Sequence, residues 1–321
     1  MTKDYRSLED LVRSNIRVRK ILENIAKQAP QALEVPHLLI EILKYIEHSF
    51  GPSCNVELFL SYKPEHMGKT PFESLVNLVC QIKEWLKCCT YSIAYRAYLT
   101  TRTIILLLYE HEEGLPVIIM ARTLMEIAAL SHYVVINIEK HLSDLESKIS
   151  CLRPGNKDSM LETIKTLVKF LGKLMRIVRA TRFNWRLWIE GDLNRLLKEW
   201  DKVPEELRQV NILTMIDKMP NNIRRKFKFW YNVLCDFCHP NLGSSVMVID
   251  KAKVLESHPH GKISYVLAAN PKSEEILYVT IWTITTPISL SIELLYANFE
   301  KMKRYIERFE NWCNIGLNML S

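Results

Sequence analysis

The chain has 321 residues, of which 48% are hydrophobic and 25% charged, the ordinary make-up of a folded globule. Disorder, collagen-like repeats and coiled-coil rods are thereby excluded as the main architecture. Nine glycines and 13 prolines are few turn-makers for this length, which argues against an all-β fold and against glycine-rich phosphate loops. Net charge is +7, and the segment from Leu152 to Trp230 alone holds 18 Lys/Arg against 9 Asp/Glu. A basic segment on a near-neutral body is the electrostatic footprint of a nucleic-acid or anionic-surface binder; amphipathic helices with solvated cationic faces give the same pattern.

In chain order, apolar periodicity predicts a first helix from Ser7 to about Lys27, then a break between Pro30 and Pro36. A second helix is expected over His37 to His48, ended by Gly51-Pro52, with Asn55 to Tyr62 as loop or a short edge strand. Thr70-Pro71-Phe72-Glu73 is a helix start with the residues of a capping box. That helix should run to about Tyr109 and turn at Glu110 to Gly114 into another reaching Ser150. So short a turn makes the two long helices antiparallel neighbours. A basic helix to about Arg182, a tryptophan-rich stretch and a helix from Asn222 to Cys238 follow. Val246 to Ile249 and Ile263 to Leu267 read as one hairpin, and a last helix runs from Asn270-Pro271 to about Trp312 with Pro287 inside it. The expected fold is an all-α helical bundle with long antiparallel helices and one small β-hairpin near residues 246–268. Residues 1–66 read as an N-terminal helical region and 67–321 as the bundle, or the whole as one continuous domain.

MTKDYRSLED carries no apolar leader. Eight cysteines in such a chain are expected as free thiols in a reducing compartment, a cytosol. The uncharged run Ile276–Ile292 is diluted by four threonines, two serines and a proline, so a buried helix is expected there and no membrane partner. No Walker A, G-x-G-x-x-G, H-E-x-x-H or G-x-S-x-G motif occurs, which argues against P-loop ATPases, Rossmann dehydrogenases, zincins and α/β-hydrolases. Cys235-x-x-Cys238-His239 fits the haem-attachment pattern, but that chemistry needs export, and no second C-x-x-C completes a zinc site. No metal and no cofactor is expected.

Two local patterns remain. Arg122 and Glu126 stand four apart inside an apolar helix, on one face as an ion pair. His239 ends the helix that contains Tyr231 and Asp236, where the macrodipole favours its charged form; Asp236, three residues earlier, is placed to orient the ring. The Arg-x-x-x-Glu helix followed by Tyr231-x-x-Leu-x-Asp236-x-x-His239-Pro-Asn241 resembles a family of mostly uncharacterised bacterial helical proteins. Those proteins are similar to the HEPN superfamily, whose members include RNA-cleaving toxins and phage-defence ribonucleases. The resemblance covers Tyr91 to Gly243 and implies an RNA-directed cytoplasmic effector, often dimeric. The catalytic members carry arginine five to seven residues before the histidine; here those positions are Leu234, Val233 and Asn232.

Metal-independent RNA cleavage needs a base for the 2′-hydroxyl, an acid for the leaving oxygen and a cation for the phosphorane. Carried onto this sequence, His239 is the acid/base group with Asp236 orienting it, Arg122 the cation held by Glu126, and Asn241 a donor to phosphate oxygen. Arg186, Arg195, Arg224, Arg225, Lys226 and Lys228 are the expected phosphate contacts, with Trp185 and Trp188 as stacking platforms. Two alternatives stand beside this one. Arg122, Glu126, Asp236 and His239 form a structural polar cluster in a non-catalytic module that binds nucleic acid or a protein partner; or the bundle core holds a small ligand.

Overall fold

The structure, a computed structural model, describes residues 4–58, 68–150, 157–179, 185–203, 208, 210–239, 244–245, 247, 249–257, 263–269 and 272–320. It is all-α, built of long packed helices: α1 Asp4–Ser14, α2 Ile16–Ala26, α3 Val35–Phe50, α4 Pro71–Ile105, α5 Gly114–Ser150, α6 Lys157–Arg179, α7 Trp185–Glu190, α8 Leu193–Glu199, α9 Ile212–Asp217, α10 Asn221–Cys238 and α11 Glu274–Asn318. The cores of α5 and α11 are long and apolar enough to cross a bilayer, yet most of each apolar stretch is buried against protein. Of the expected hairpin, residues 246, 248 and 258–262 lie outside the described residues, as do 59–62 of the expected loop and the end of the basic helix beyond Arg179.

The chain divides into two compact units, residues 1–53, 93–130 and 216–297, and residues 54–92, 131–215 and 298–321. Helices α4, α5 and α11 each contribute to both units.

In the first unit the single helix expected over Ser7 to Lys27 is two. Asn15 breaks it by capping α2, its Oδ1 accepting from Val18 N at 2.8 Å, while its Nδ2 donates to Tyr109 O. A polar residue with a better use for its side chain outside the helix ends α1 there. The α4 exit widens into a π turn, Leu106–Glu110, with His111 N donating to Leu106 O. Glu112 follows in the left-handed region at φ 56°, a conformation few non-glycine residues adopt, and its carboxylate is held by Asn15 and Arg17. Buried Val18, Ile25, Leu39, Leu43, Ile104, Leu124, Phe227 and Ile288 make the core.

In the second unit the Thr70/Glu73 capping box forms as expected: Glu73 N donates to Thr70 Oγ1 at 3.1 Å, and Glu73 Oε2 accepts from Thr70 N at 3.3 Å. Cys80 and Cys313 join α4 to α11 as a disulfide with Cα atoms 5.3 Å apart, and Gly316 lies against Val76, where a Cβ would meet Cγ2 at 2.6 Å. These pairings run α4 antiparallel to α11. Ser131–Asn298, Glu139–Lys301, Glu139–Tyr305 and Glu146–Arg308 run α5 parallel to α11. The two long helices joined by the short turn therefore oppose each other, the arrangement the turn length dictates. Lys148–Thr166 and Lys173–His141 fold α6 back antiparallel on α5. The disulfide corrects the expectation of free thiols throughout: 233 positions separate the two cysteines, and only the packing of α4 on α11 brings them together.

A buried histidine and a paired, exposed carboxylate give this unit an acid sensitivity. His132 is buried, and burial, aided by the charge of Lys301, holds the imidazole below its usual range against a hydrogen bond with Asn298 and the charge of Glu139. Glu139, although partly desolvated, is held below the usual carboxylate range by Lys301 and Tyr305. Below about pH 6.5 the unfolded chain binds a proton at His132 that the folded chain resists, so acid removes stability. Glu139 adds a second loss as pH falls through its folded value. Thermal melts from pH 7 to 4 should show Tm falling throughout, with His132→Gln flattening the upper part of that limb. Parallel curves for the variant and the parent would exclude this origin.

Candidate nucleic-acid interface

Helix α10 is amphipathic. Phe227, Tyr231 and Leu234, at spacings of four and three, are buried, while Asn222, Arg225, Lys226, Phe229, Asn232 and Asp236 are exposed. His239 caps the helix in an extended conformation, its N–H donating to Cys235 O, and its side chain is exposed. A wide recess lined by Asn221, Asn222, Arg224, Arg225 and Lys226 opens at the start of the helix.

The expected phosphate contacts separate into two kinds. Lys228 is paired with Asp217 at 3.0 Å, and Arg224 donates to Asp217 O at 3.2 Å and to Asn221. Arg195, in the second unit, holds Glu199 at 3.2 Å. Arg225 and Lys226 are exposed and have no carboxylate partner among the described residues. The helix backbones at Trp185, Arg186 and Trp188 are part of α7, but those side chains lie outside the described residues, as does Asn241. Sequence reasoning missed Phe229, which is 60% exposed and meets Trp230 edge-to-face at 5.2 Å. Its signal was the spacing: four after Arg225 and three after Lys226, on one helical face, where an aromatic on the polar side breaks the amphipathic pattern.

Behind this face, α5 and α10 are joined by a closed polar triangle. Arg122 and Glu126 form the ion pair their spacing predicts, at 3.2 Å. Tyr231 Oη donates to Glu126 Oε1 at 3.0 Å and accepts from Arg122 Nη2 at 3.3 Å, and the guanidinium carbon sits 5.5 Å from the Tyr231 ring centroid. Burial drives the Tyr231 phenol well above its usual range and pushes the Cys238 thiol up, with Arg122 opposing in both. Arg122 Nε is buried with no partner. Two of the three groups are partly open to solvent, so each bond is worth a fraction of its buried value. Among the described residues no group of three or more His, Cys, Asp or Glu side chains is placed to hold a metal ion.

Compared with protein-family models, curated proteins and solved structures, the chain matches none. The resemblance to HEPN-like proteins thus rests on the two short motifs, of which Arg122, Glu126 and Tyr231 meet in space.

The triangle carries its own test. Tyr231→Phe keeps the ring and removes the hydroxyl that bridges the two charges, so it is expected to destabilise by about 1 kcal/mol. Urea unfolding measures this; a variant as stable as the parent would mean that water replaces the hydroxyl without loss.

Proposed function

We propose that this chain is an RNA-directed helical effector of the toxin or phage-defence type, which engages single-stranded RNA on the exposed face of α10 and carries His239 there as its acid/base group. One observation supports this reading above the others: Arg225, Lys226, Phe229 and His239 are all exposed along about 20 Å of one helix. Cations with no carboxylate partner meet phosphates, an exposed aromatic face stacks with a base of any identity, and the imidazole lies at the end of the same track. RNA cleavage by such a site moves the 2′-hydroxyl proton to His239 as the 2′-oxygen attacks phosphorus, and a proton returns to the leaving 5′-oxygen.

A second reading has its own support. Arg122 is committed to Glu126 and Tyr231, so the cation a phosphorane needs is already neutralised. In that reading the protein binds RNA, or a protein partner, without cutting, and the triangle fixes the register of α5 on α10. The hairpin expected near 246–268 belongs to either reading, supported by the antiparallel backbone pairing of Ile249–Ser257 with Ile263–Ala269.

Incubating total cellular RNA with the wild type and with His239→Ala in EDTA separates the two. Discrete fragments from the wild type alone establish metal-independent cleavage. Intact RNA that is nevertheless retained by both proteins selects the second reading in its RNA-binding form, and RNA neither cut nor retained removes RNA from both readings and leaves only a protein partner.

A further inference from the structure

In the second unit, α5 and α6 hold a second basic cluster that the α10 face does not use. Lys173 Nζ lies 2.9 Å from His141 Nε2. An ammonium only donates, so Nε2 is the bare nitrogen and the ring is neutral, with its proton on Nδ1. Lys140 on the same helix and Lys169 on α6 face the pair closely enough that, after burial and Lys173, their charges hold the imidazole below its usual range; Asp144 opposes weakly. Burial and the same two lysines depress Lys173. Lys140, Lys169 and Lys173 have no carboxylate within ion-pair distance among the described residues. The contrast lies two turns further along α5, where Lys148 sits between Asp144 at 3.2 Å and Glu162 at 3.5 Å. The same pair of helices thus neutralises one lysine twice and leaves three cations and an imidazole together. Like charges gathered without a counter-charge raise the free energy of the empty site and are relieved by an anion. Beneath them a recess with room for about one water ends mainly on apolar side chains, Val134, Ile138, Phe170, Leu174 and Ile177, so the ligand's charged group stays at its mouth.

We propose that the His141–Lys173 cleft is a binding site for a phosphate monoester dianion, whose oxygens take hydrogen bonds from Lys173 Nζ and from His141 Nε2 once that nitrogen is protonated, with Lys140 and Lys169 supplying charge. A carboxylate carries one charge against this set; a phosphate carries two and offers three oxygens to separate donors. Binding takes up one proton at His141 and so strengthens from pH 8 to pH 6. The body of the ester stays outside the recess, because its floor is apolar and shallow.

The test follows the His141 ring resonances by NMR during titration with inorganic phosphate, and separately with glycerol phosphate, each against sodium chloride at matched ionic strength. Both phosphates are expected to move the His141 signals to saturation and to raise its apparent pKa, while chloride does neither; tighter binding of the ester marks a carried phosphate, and equal binding a free one. Lys173→Met, which keeps the packed stem, should weaken binding by roughly tenfold or more, with the remaining spectrum unchanged. Lys140→Ala keeps the hydrogen-bonded pair and should weaken it less. No movement of His141, movement equal to that in chloride, or full binding in a folded Lys173→Met protein would each overturn the proposal.

Discussion

Phe229→Ala is expected to weaken single-stranded RNA binding by roughly five- to a hundredfold, the range of one lost base–aromatic stack. The side chain is 60% exposed, so its removal takes little from the core and the fold should be unchanged. Arg225→Ala combined with Lys226→Ala removes two phosphate contacts, and the slope of log affinity against log salt should then become shallower by about 1.4, at roughly 0.7 per contact on a single strand. Lys228→Ala is the internal contrast. Its ammonium already holds Asp217 at 3.0 Å, so it should change affinity far less than either neighbour. If Lys228→Ala weakened binding as much as Arg225→Ala, simple net charge and not the α10 face would govern RNA binding.

Loss of the Cys80–Cys313 bond should be the largest stability effect of any single change. The bond closes a long loop between α4 and α11, with Cys313 buried, and native disulfides of this kind contribute about 2–5 kcal/mol. Cys80→Ser, or reduction of the wild type, is expected to lower Tm by roughly 5–15 °C. Cys238→Ser, at a thiol that is not bonded, should not reproduce that shift. Peptide mapping without reductant should recover the two linked peptides. Equal melts of reduced and oxidised protein would show that helix packing alone sets the stability.

Much of the helical frame was legible from the residues. The capping box at Thr70–Glu73, the short turn at 111–113 and the apolar runs of α5 and α11 are local signals, and local hydrogen bonding obeys them. Asn15 was missed because its competing partners, Tyr109 and Glu112, lie 94 and 97 residues away. The disulfide was missed for the same reason. At the candidate site, the Arg122–Glu126 pair followed from spacing on one helix, whereas the bridging by Tyr231 needed α10 placed against α5. The basic residues were readable as a group but not individually. Arg195 and Glu199 pair at the same i, i+4 spacing, but which cations of α10 stand without a carboxylate depends on Asp217, a residue of α9 that the period of α10 does not place.

Binding of single-stranded RNA through the α10 face is read from the affinity of the wild type for a labelled oligoribonucleotide at about 50 and about 200 mM salt. Binding at low salt should fall with a log–log slope of about −1.4 or steeper, as two or more phosphates are neutralised by Arg225, Lys226 and their neighbours. No binding at the lower salt, or binding indifferent to salt, would contradict it.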